Sequence, residues 1–238
     1  MPRVSLKVKL VPLSSRPEPN TTTGGGVALA HADLNNDGIA DVVGITSGGY
    51  IYAFDVAHQK LLWSSTGIGG GADVAVADLD GDGVPEIIAL ANSQLIIYAG
   101  NGSSYLQKAL YPISGTGLLV ADTDGDGVPE IYVLSGTTVS RFDNKLTPLN
   151  AFQVPAATSL YLEQSVFGRK NLLLATGNDL NGQPSSLIAV DPATGQQIWA
   201  APPLVGTVPI HSLGFYDLMG TGTLQIAFGT TIGMYVTQ

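Results

Sequence analysis

Three short acidic loops carry the residues of this sequence that could do chemistry. Each loop begins with aspartate and places side-chain oxygens at positions 1, 3, 5 and 9, with glycine at position 6, where a tight turn needs unrestricted φ. The carbonyl of position 7 can supply a further oxygen. Clustered hard oxygens favour Ca²⁺, which takes about 6–8 such ligands. The predicted ligands are Asp33, Asn35, Asp37, Ile39 and Asp41; Asp78, Asp80, Asp82, Val84 and Glu86; and Asp122, Asp124, Asp126, Val128 and Glu130.

Other cations and other loop types fit this pattern less well. Mg²⁺ prefers a stricter octahedron, and Zn²⁺ favours His or Cys ligands. An EF-hand needs glutamate at position 12 between two helices, whereas Gly44, Ala89 and Val133 stand there and apolar strands follow. A metal-free hairpin turn remains the alternative. Four close carboxylates with no counter-charge would repel one another, so we expect three structural Ca²⁺ sites that clamp the hairpins.

Two worn copies of the loop follow the three acidic ones. An apolar residue replaces a ligand in each, so neither copy is expected to bind metal, and ordinary packing and hydrogen bonds should hold these turns. The residues at positions 1, 3, 5 and 9 are Glu163, Ser165, Phe167 and Asn171 in one copy, and Asp217, Met219, Thr221 and Gln225 in the other.

The loops belong to a repeat that predicts the fold. Asp33, Asp78 and Asp122 are 45 and 44 residues apart, and each repeat reads as four short antiparallel strands with turn residues every 8–12 positions. This is the pattern of a β-propeller blade. We predict a single all-β domain over 1–238 with five four-stranded blades, at about 25–66, 70–110, 115–155, 157–203 and 206–238. A strand within 4–11, Val4–Leu10, would join the last blade and close the ring; a fragment of a larger propeller is the alternative.

Two family resemblances follow from these motifs. The acidic loop with its apolar exit, as in Val76–Leu90, resembles the FG-GAP/VCBS repeat of integrin α-chain propellers and secreted microbial proteins. The hairpins Ile51–Trp63 and Leu187–Trp199 look like the blades of quinoprotein (PQQ-type) propellers. By resemblance to integrin-like propellers, the ligand would bind on the face opposite the metal loops. That face would carry the interblade connectors and the second-to-third-strand loops, of which Thr176–Ser185 is the longest.

Composition narrows the function further. The formal net charge is −9, but 11 of the 19 acidic residues lie in the three loops, so the acidity is local and argues against nucleic-acid or anionic-membrane partners. No apolar run reaches the roughly 18 residues of a membrane span. Cysteine is absent, and no arrangement of His31, His58 or His211 indicates a catalytic site. His58 is expected to be solvated, and Trp63 and Trp199 are expected to pack between blades.

The sequence therefore predicts a calcium-stabilised binding or adhesion module that recognises a protein or glycan ligand. Because millimolar extracellular Ca²⁺ would fill even modest sites, we expect it outside the cell or at the cell surface, as a monomeric domain of a larger protein. A scaffold domain of a larger surface assembly is the first alternative. A polysaccharide-active propeller enzyme is the second, but it would need converging acids or a basic residue on the non-metal face, and few charges lie outside the loops.

Overall fold

The computed structural model describes residues 26–162, 171–201, 210–221, 224–230 and 233–236. This part of the chain contains nineteen strands and no helix. The strands form five separate antiparallel sheets, in which four strands, or three in the last sheet, follow one another in chain order. The protein is therefore an all-β, five-bladed propeller, as the repeat predicts.

Each blade is a meander of short strands. Blade one contains β1 (Gly26–Ala32), β2 (Asp41–Thr46), β3 (Ile51–Asp55) and β4 (Lys60–Ser64). Blade two contains β5 (Gly71–Ala77), β6 (Glu86–Ala91), β7 (Gln94–Gly100) and β8 (Tyr105–Pro112). Blade three contains β9 (Gly117–Ala121), β10 (Glu130–Ser135), β11 (Thr138–Phe142) and β12 (Pro148–Gln153). Blade four contains β13 (Ala157–Leu162), β14 (Leu172–Thr176), β15 (Leu187–Val190) and β16 (Gln197–Ala200). Blade five contains β17 (Ile210–Tyr216), β18 (Gln225–Thr230) and β19 (Gly233–Val236).

The blades share irregularities as well as strands. The pairing of the first with the second strand shifts register near its start in blades one, two, four and five, for example between Gly71 and Asp73. The pairing of the third with the fourth strand shifts in blades one to four, for example between Ile97 and Tyr98. Bulges increase local twist and bend the strand. Blade four therefore keeps the shape of the blades with acidic loops, although its own loop has lost most of the acidic residues.

The core lies between neighbouring blades. The second strand β6 is buried along its whole length because its two faces meet different blades. Ile87 and Ala89 point into the cluster shared with blade one, whereas Ile88 and Leu90 point into the cluster shared with blade three. Successive strand residues face opposite sides, so an uninterrupted apolar strand can serve both interfaces. Similar clusters join blades three and four and blades four and five.

The predicted packing of both tryptophans between blades is confirmed. The ring of Trp63 lies 5.3 Å from the ring of Tyr98 and 5.5 Å from that of Tyr105, both of which belong to blade two. Trp199 packs against the cluster that joins blades four and five. These contacts place the outer strands β4 and β16 against the next blade of the ring.

Blade five has three strands among the described residues, and β19 forms its edge. The strand predicted to complete this blade, Val4–Leu10, lies outside the described residues, so that part of the prediction remains a prediction. The first strands of successive blades, β1 with β5, β5 with β9 and β9 with β13, contact one another. They therefore form the inner wall of the ring, and the connections between first and second strands all lie on one face.

Candidate metal centres

The strand register brings the two ends of each acidic loop together. The loops, Asp33–Asp41, Asp78–Glu86 and Asp122–Glu130, connect the first and second strands of blades one to three. Position 9 is the first residue of the second strand and pairs with the residue before position 1, as Glu86 pairs with Ala77. The same pairing occurs in the other two loops. The antiparallel ladder itself thus places the carboxylate of position 9 beside that of position 1.

The carboxylates of positions 1 and 5 hold the turn backbone. In the second loop, Asp78 accepts hydrogen bonds from the N–H groups of Gly81 at 2.8 Å and Gly83 at 2.9 Å. Asp82 accepts one from the N–H of Val84 at 2.8 Å. The first and third loops repeat these bonds with small variations. The aspartates therefore shape the loop before any metal is considered.

The glycine of position 6 is needed for its backbone conformation. Its φ is +85° at Gly38 and Gly83 and +88° at Gly127. A side-chain Cβ at these positions would meet no atom within 4 Å, so space is not the constraint. The predicted need for unrestricted φ at position 6 is confirmed.

Position 9 has a structural role that the sequence pattern did not reveal. Its side chain is buried in all three loops, with exposed fractions of 0% for Asp41, 3% for Glu86 and 5% for Glu130. One carboxylate oxygen accepts the N–H of position 2, at 3.1, 2.8 and 3.0 Å respectively. Gln225 makes the same bond to Leu218 in the worn fifth loop, at 2.8 Å. An oxygen at position 9 is thus required by the hairpin itself.

The second and third loops bring three carboxylates to one point. Oxygens of Asp78, Asp80 and Glu86 lie within 4.8 Å of one another, as do those of Asp122, Asp124 and Glu130. Positions 1, 3 and 9 therefore converge in both loops, whereas the position 5 carboxylates are not part of these groups. Two oxygens on one Ca²⁺ at about 2.4 Å lie at most about 4.8 Å apart, so the donor set fits that ion. These three side chains of each loop would hold it.

Two basic side chains correct the expectation that the carboxylates have no counter-charge. Lys108 Nζ lies 2.6 Å from Asp80 Oδ2 and 3.6 Å from Glu86 Oε1. Arg141 Nη2 lies 2.9 Å from Asp124 Oδ2 and 2.6 Å from Glu130 Oε1. In both loops the partners are positions 3 and 9. The metal-free hairpin is therefore better balanced in charge than the loop sequence alone indicates.

The ion pairs and burial have opposite effects on the pKa values of the loop carboxylates. The hydrogen bond from Lys108 lowers the pKa of Asp80 below its ordinary value. Burial raises the pKa of Glu86, although the bond from the Leu79 N–H opposes the shift. In the third loop, burial raises the pKa of the Tyr132 hydroxyl to about 12, and this group lies 2.6 Å from the hydroxyl of Thr123.

Blade one groups its side chains differently. Oxygens of Asp37 and Asp55 and a ring nitrogen of His58 lie within 4.8 Å of one another. Asp55 is buried and accepts the backbone N–H of His58 at 2.8 Å, while His58 Nδ1 lies 2.9 Å from its other oxygen. The histidine, expected to be solvated, is exposed but hydrogen bonded. Burial alone would raise the pKa of Asp55, but the bonds from His58 bring it below its ordinary value.

Aspartates at the equivalent position of other blades indicate the structural role of Asp55. Asp143 and Asp191 begin the corresponding third-to-fourth-strand turns of blades three and four, and each accepts two or more hydrogen bonds from its own turn. Asp55 is therefore a turn-capping residue. In the first loop, Oδ2 of the buried Asp41 caps the Leu34 N–H, and burial raises the pKa of Asp41 although hydrogen bonds from the backbone of Leu34 and Val56 oppose the shift.

The worn loops are described in part. Residues 163–170 of the fourth loop, with Glu163, Ser165 and Phe167, lie outside the described residues, and Asn171 is buried. In the fifth loop, Asp217 accepts the N–H of Thr221 at 2.9 Å, and Met219 is 57% exposed. Hydrogen bonds to Asp217 and Gln225 thus hold this turn, as expected.

A cleft of about 240 Å³ opens beside the second loop, between blades two and three. Asp80, Glu86 and Lys108 form its polar wall on blade two, and Asn144 and Lys145 come from a turn of blade three. Asn144 Nδ2 donates to the carbonyl of Leu79 at 2.7 Å and so ties the two blades together at the loop.

The face opposite the loops carries the interblade connectors. The connector after β4 is held by backbone bonds from Ile68 to Gly49 and from Gly69 to Gly48, and the N–H of Asn92 in blade two donates to Gly70. The loop Thr176–Ser185 is ordered by Asp179, which accepts the N–H groups of Asn181 and Gln183, each at 2.8 Å. Hydrogen bonds thus hold both segments in defined turns.

Comparison with known proteins agrees with this geometry. Residues 33–89 and 78–133 match the FG-GAP-like repeat. Both matches run from the first aspartate of one acidic loop into the exit strand of the next, and together they contain all three acidic loops. Residues 33–133 therefore resemble FG-GAP-like repeats, and the strands of the described residues make the protein a five-bladed β-propeller. No curated protein sequence matches it.

Solved structures extend the likeness to most of the chain. BBS1N in complex with ARL6DN matches with a TM-score of 0.60 and 13% identity over 87% of this chain and 63% of that chain. Bap1, a V. cholerae biofilm matrix protein, matches with a TM-score of 0.55 and 20% identity, over 89% of this chain and 36% of that chain. Quinohemoprotein alcohol dehydrogenase from Comamonas testosteroni matches with a TM-score of 0.61 and 10% identity, over 91% of this chain and 42% of that chain.

These matches bear on fold. The dehydrogenase supports the PQQ-type likeness of the hairpins. The neighbours include an enzyme and non-enzymes, so the fold is compatible with either, and the chain spans less than two thirds of each of the three proteins. Among the described residues, no helix has the length and apolarity to cross a membrane.

Proposed function

We propose that this propeller is a calcium-stabilised binding module that acts outside the cell and recognises a protein or glycan ligand. The observation that carries the calcium proposal is the convergence of Asp78, Asp80 and Glu86, repeated by Asp122, Asp124 and Glu130. Carboxylate oxygens within a few ångströms of one another suit a hard divalent ion. The first loop is proposed as a third site because Asp33, Asn35, Asp37 and Asp41 repeat the oxygen positions of the other two loops.

The metal would act on stability rather than on chemistry. An ion that binds only the folded hairpin stabilises it by mass action, by about 2.7 kcal/mol when its concentration is 100 times the dissociation constant. Millimolar Ca²⁺ outside the cell would reach this regime for modest sites. Our assignment to the extracellular space or cell surface depends on this argument.

Ligand recognition is proposed for the face opposite the loops. The connection Thr176–Ser185 is the longest between a second and a third strand among the described residues, and its exposed Leu180 is held by a bond from its own N–H to Gln197. A turn that is already held by its own hydrogen bonds loses less conformational entropy on binding than an open loop does. The BBS1N structure, solved with ARL6DN, shows a protein with this fold in complex with a protein partner.

Thermal unfolding with and without chelator tests the calcium proposal. Excess EDTA should lower the melting temperature of the wild-type chain relative to millimolar Ca²⁺. The double variant Asp78→Asn with Asp122→Asn should lose most of this difference. Asp217→Asn, which changes position 1 of the worn fifth loop, is the matched control and should keep it. A wild-type melting temperature that ignores EDTA would contradict the proposal.

A glycan array probes the recognition proposal. Wild-type protein should bind a group of related glycans, and Leu180→Ser should lose that binding. Leu149→Ser, at a somewhat more exposed position on the outer strand β12, should leave it unchanged. Unaltered binding by the Leu180 variant would place recognition elsewhere. An array without any bound glycan would favour a protein ligand or the scaffold role.

A further inference from the structure

We propose that Lys108 and Arg141 are internal competitors of the metal and set the cation affinity of the second and third loops. This inference rests on the proposed calcium binding. Each basic side chain contacts the carboxylates of positions 3 and 9, which belong to the converging group in its loop. A divalent ion and the basic group cannot both occupy these oxygens without strong mutual repulsion.

The two side chains reach the same loop positions from different strands. Lys108 lies on the outermost strand β8, whereas Arg141 lies on β11, the third strand of its blade. By strand pairing, the place of Arg141 is taken by Ile97 in blade two and by Ala53 in blade one. The basic residues are therefore not part of the repeat. From different strands, they offset the same repulsion among clustered carboxylates.

Blade one shows what a loop without such a residue contains. Its nearby basic groups, His58 and Lys60, contact the turn-capping Asp55, and His58 also lies 3.6 Å from Asp37. Neither forms an ion pair with Asp41. The position 9 carboxylate of this loop therefore lacks an ion pair among the described residues, whereas those of loops two and three each contact a basic side chain.

The two competitors differ in how easily a metal would displace them. Lys108 has a side chain 48% exposed, touches Asp80 at 2.6 Å and stays 3.6 Å from Glu86, so its ammonium can move into water at little cost. Arg141 has a side chain only 12% exposed and its Nη2 bridges Asp124 and Glu130 within 2.9 Å of both. We therefore expect the wild-type second loop to bind Ca²⁺ more tightly than the third.

Calorimetric titration with Ca²⁺ tests the role of Lys108. Asp33→Asn and Asp122→Asn, made together, leave the second loop as the site measured. On that background Lys108→Gln should bind Ca²⁺ about tenfold more tightly, since it removes both the ion pair and the repulsion. Lys145→Gln is the matched control: this lysine lines the same cleft and lacks an ion pair with Asp80 or Glu86 among the described residues. It should change affinity less than about twofold.

Arg141 is tested on the background of Asp33→Asn with Asp78→Asn. Affinity for Ca²⁺ should rise from the parent to Arg141→Lys and again to Arg141→Gln, with a larger total gain than in the second loop. Because Arg141 is mostly buried, a thermal melt in EDTA checks that each variant is folded. The lysine variant keeps the charge and so provides a measurement if the glutamine variant is unstable.

The outcomes separate this inference from the proposed function. If the parent proteins bind Ca²⁺ and neither Lys108→Gln nor Arg141→Gln binds it more tightly, the competition is wrong and calcium binding stands. If neither parents nor variants bind Ca²⁺, the proposed calcium function fails and the inference fails with it. If Ca²⁺ binds only after the basic residue is removed, the inference is supported, and the wild-type loop does not bind Ca²⁺.

Discussion

Position 9 of each loop combines two demands in one side chain. Its carboxylate caps the N–H of position 2, and in loops two and three it also belongs to the converging group. Blade five separates these demands, because Gln225 keeps the cap without a charge. The hairpin therefore needs an oxygen at position 9, and the proposed metal needs that oxygen to be anionic.

Substitution of Glu86 should separate the two roles. In EDTA, Glu86→Ala leaves the buried Leu79 N–H without its acceptor and should lower the free energy of unfolding by about 1–3 kcal/mol. Glu86→Gln keeps an acceptor and should cost less than about 1 kcal/mol, but it should lose much of the stabilisation by Ca²⁺. Urea unfolding with and without Ca²⁺ measures both effects. Equal destabilisation by Ala and Gln in EDTA would contradict the capping role.

Asp73 joins two blades and should respond to pH. Its Oδ2 accepts the N–H of Leu118 in blade three at 2.8 Å, and burial raises its pKa. A raised folded pKa contributes stability that is complete below the ordinary value of 3.8 and is lost as pH rises through the folded value. The free energy of unfolding of the wild type, minus that of Asp73→Asn, should therefore increase as pH falls from 7.

Asp179 supplies the opposite control for this measurement. Hydrogen bonds, chiefly from the N–H of Gln183, lower its pKa, so its contribution is present above 3.8 and is lost as pH falls through the folded value. The difference between wild type and Asp179→Asn should decrease towards low pH. Urea unfolding at several pH values measures both differences. If both differences in the free energy of unfolding changed with pH in the same direction, the burial of Asp73 would not be the cause of its pH dependence.

The sequence predicts the oxygens of the loops but not their basic partners. The carboxylates and glycines of each loop lie within nine consecutive residues, so their proximity follows from local chain geometry. The contact between Lys108 and Asp80 joins residues 28 positions apart, and its existence depends on the register of three strands and a bulge in β8. No local pattern encodes that register, and the expectation of uncompensated carboxylates was therefore wrong.

Neighbouring hairpins also support the loops from outside their own blade. The turn Asn101–Ser104, which joins β7 and β8 of blade two, lies against the first acidic loop. Gly102 is buried with φ of +80°, and a Cβ there would collide with the carbonyl of Leu34. The turn of one blade thus fixes the second residue of the acidic loop in the blade before it.

Gly102→Ala should therefore be more costly than an ordinary turn substitution. It combines the strain of a positive φ, roughly 1 kcal/mol, with a backbone collision that must displace the first loop. Gly136→Ala is the matched control, because Gly136 also has positive φ, of +61°, but a Cβ there meets nothing within 4 Å. In urea unfolding, Gly102→Ala should lose at least twice as much free energy of unfolding as Gly136→Ala. Equal losses in the two variants would mean that the turn of blade two does not support the first acidic loop.

Strands were predictable to within a residue or two, because apolar runs and turn residues mark them. The hairpin predicted over Ile51–Trp63 consists of the strands Ile51–Asp55 and Lys60–Ser64. The bulges were not predictable. The register shift between Gly71 and Asp73 depends on the contact of Gly71 with Thr46 of the preceding blade, where a Cβ would collide with the carbonyl. A repeat pattern shows that such a glycine recurs but not which backbone it meets.

The whole ring depends on apolar contacts between blades. Residues of blade two divide between two clusters, with Ile87 facing blade one and Ile88 facing blade three. Blades three and four and blades four and five share clusters of the same kind. A blade removed from its neighbours would expose both faces of its second strand to water. The blades should therefore unfold together although they arise from a linear repeat.

The two tryptophans allow this cooperativity to be measured at separate places. Trp63 reports the contact of blade one with blade two, and Trp199 reports the contact of blade four with blade five. In Trp63→Phe, fluorescence comes from Trp199 alone, and in Trp199→Phe it comes from Trp63 alone. In each variant the fluorescence and far-ultraviolet circular dichroism transitions in urea should coincide, as expected for two-state unfolding.

A destabilising substitution in blade two tests the cooperativity of unfolding more directly. Glu86→Ala, added to each single-tryptophan variant, should lower the free energy of unfolding reported by distant Trp199 as much as that reported by nearby Trp63, because continuous interblade cores leave no boundary at which unfolding can stop. Glu86→Gln is the control and should shift both reports only slightly. If the loss were seen by Trp63 alone, the blades would unfold as nearest-neighbour units, as in open repeat arrays.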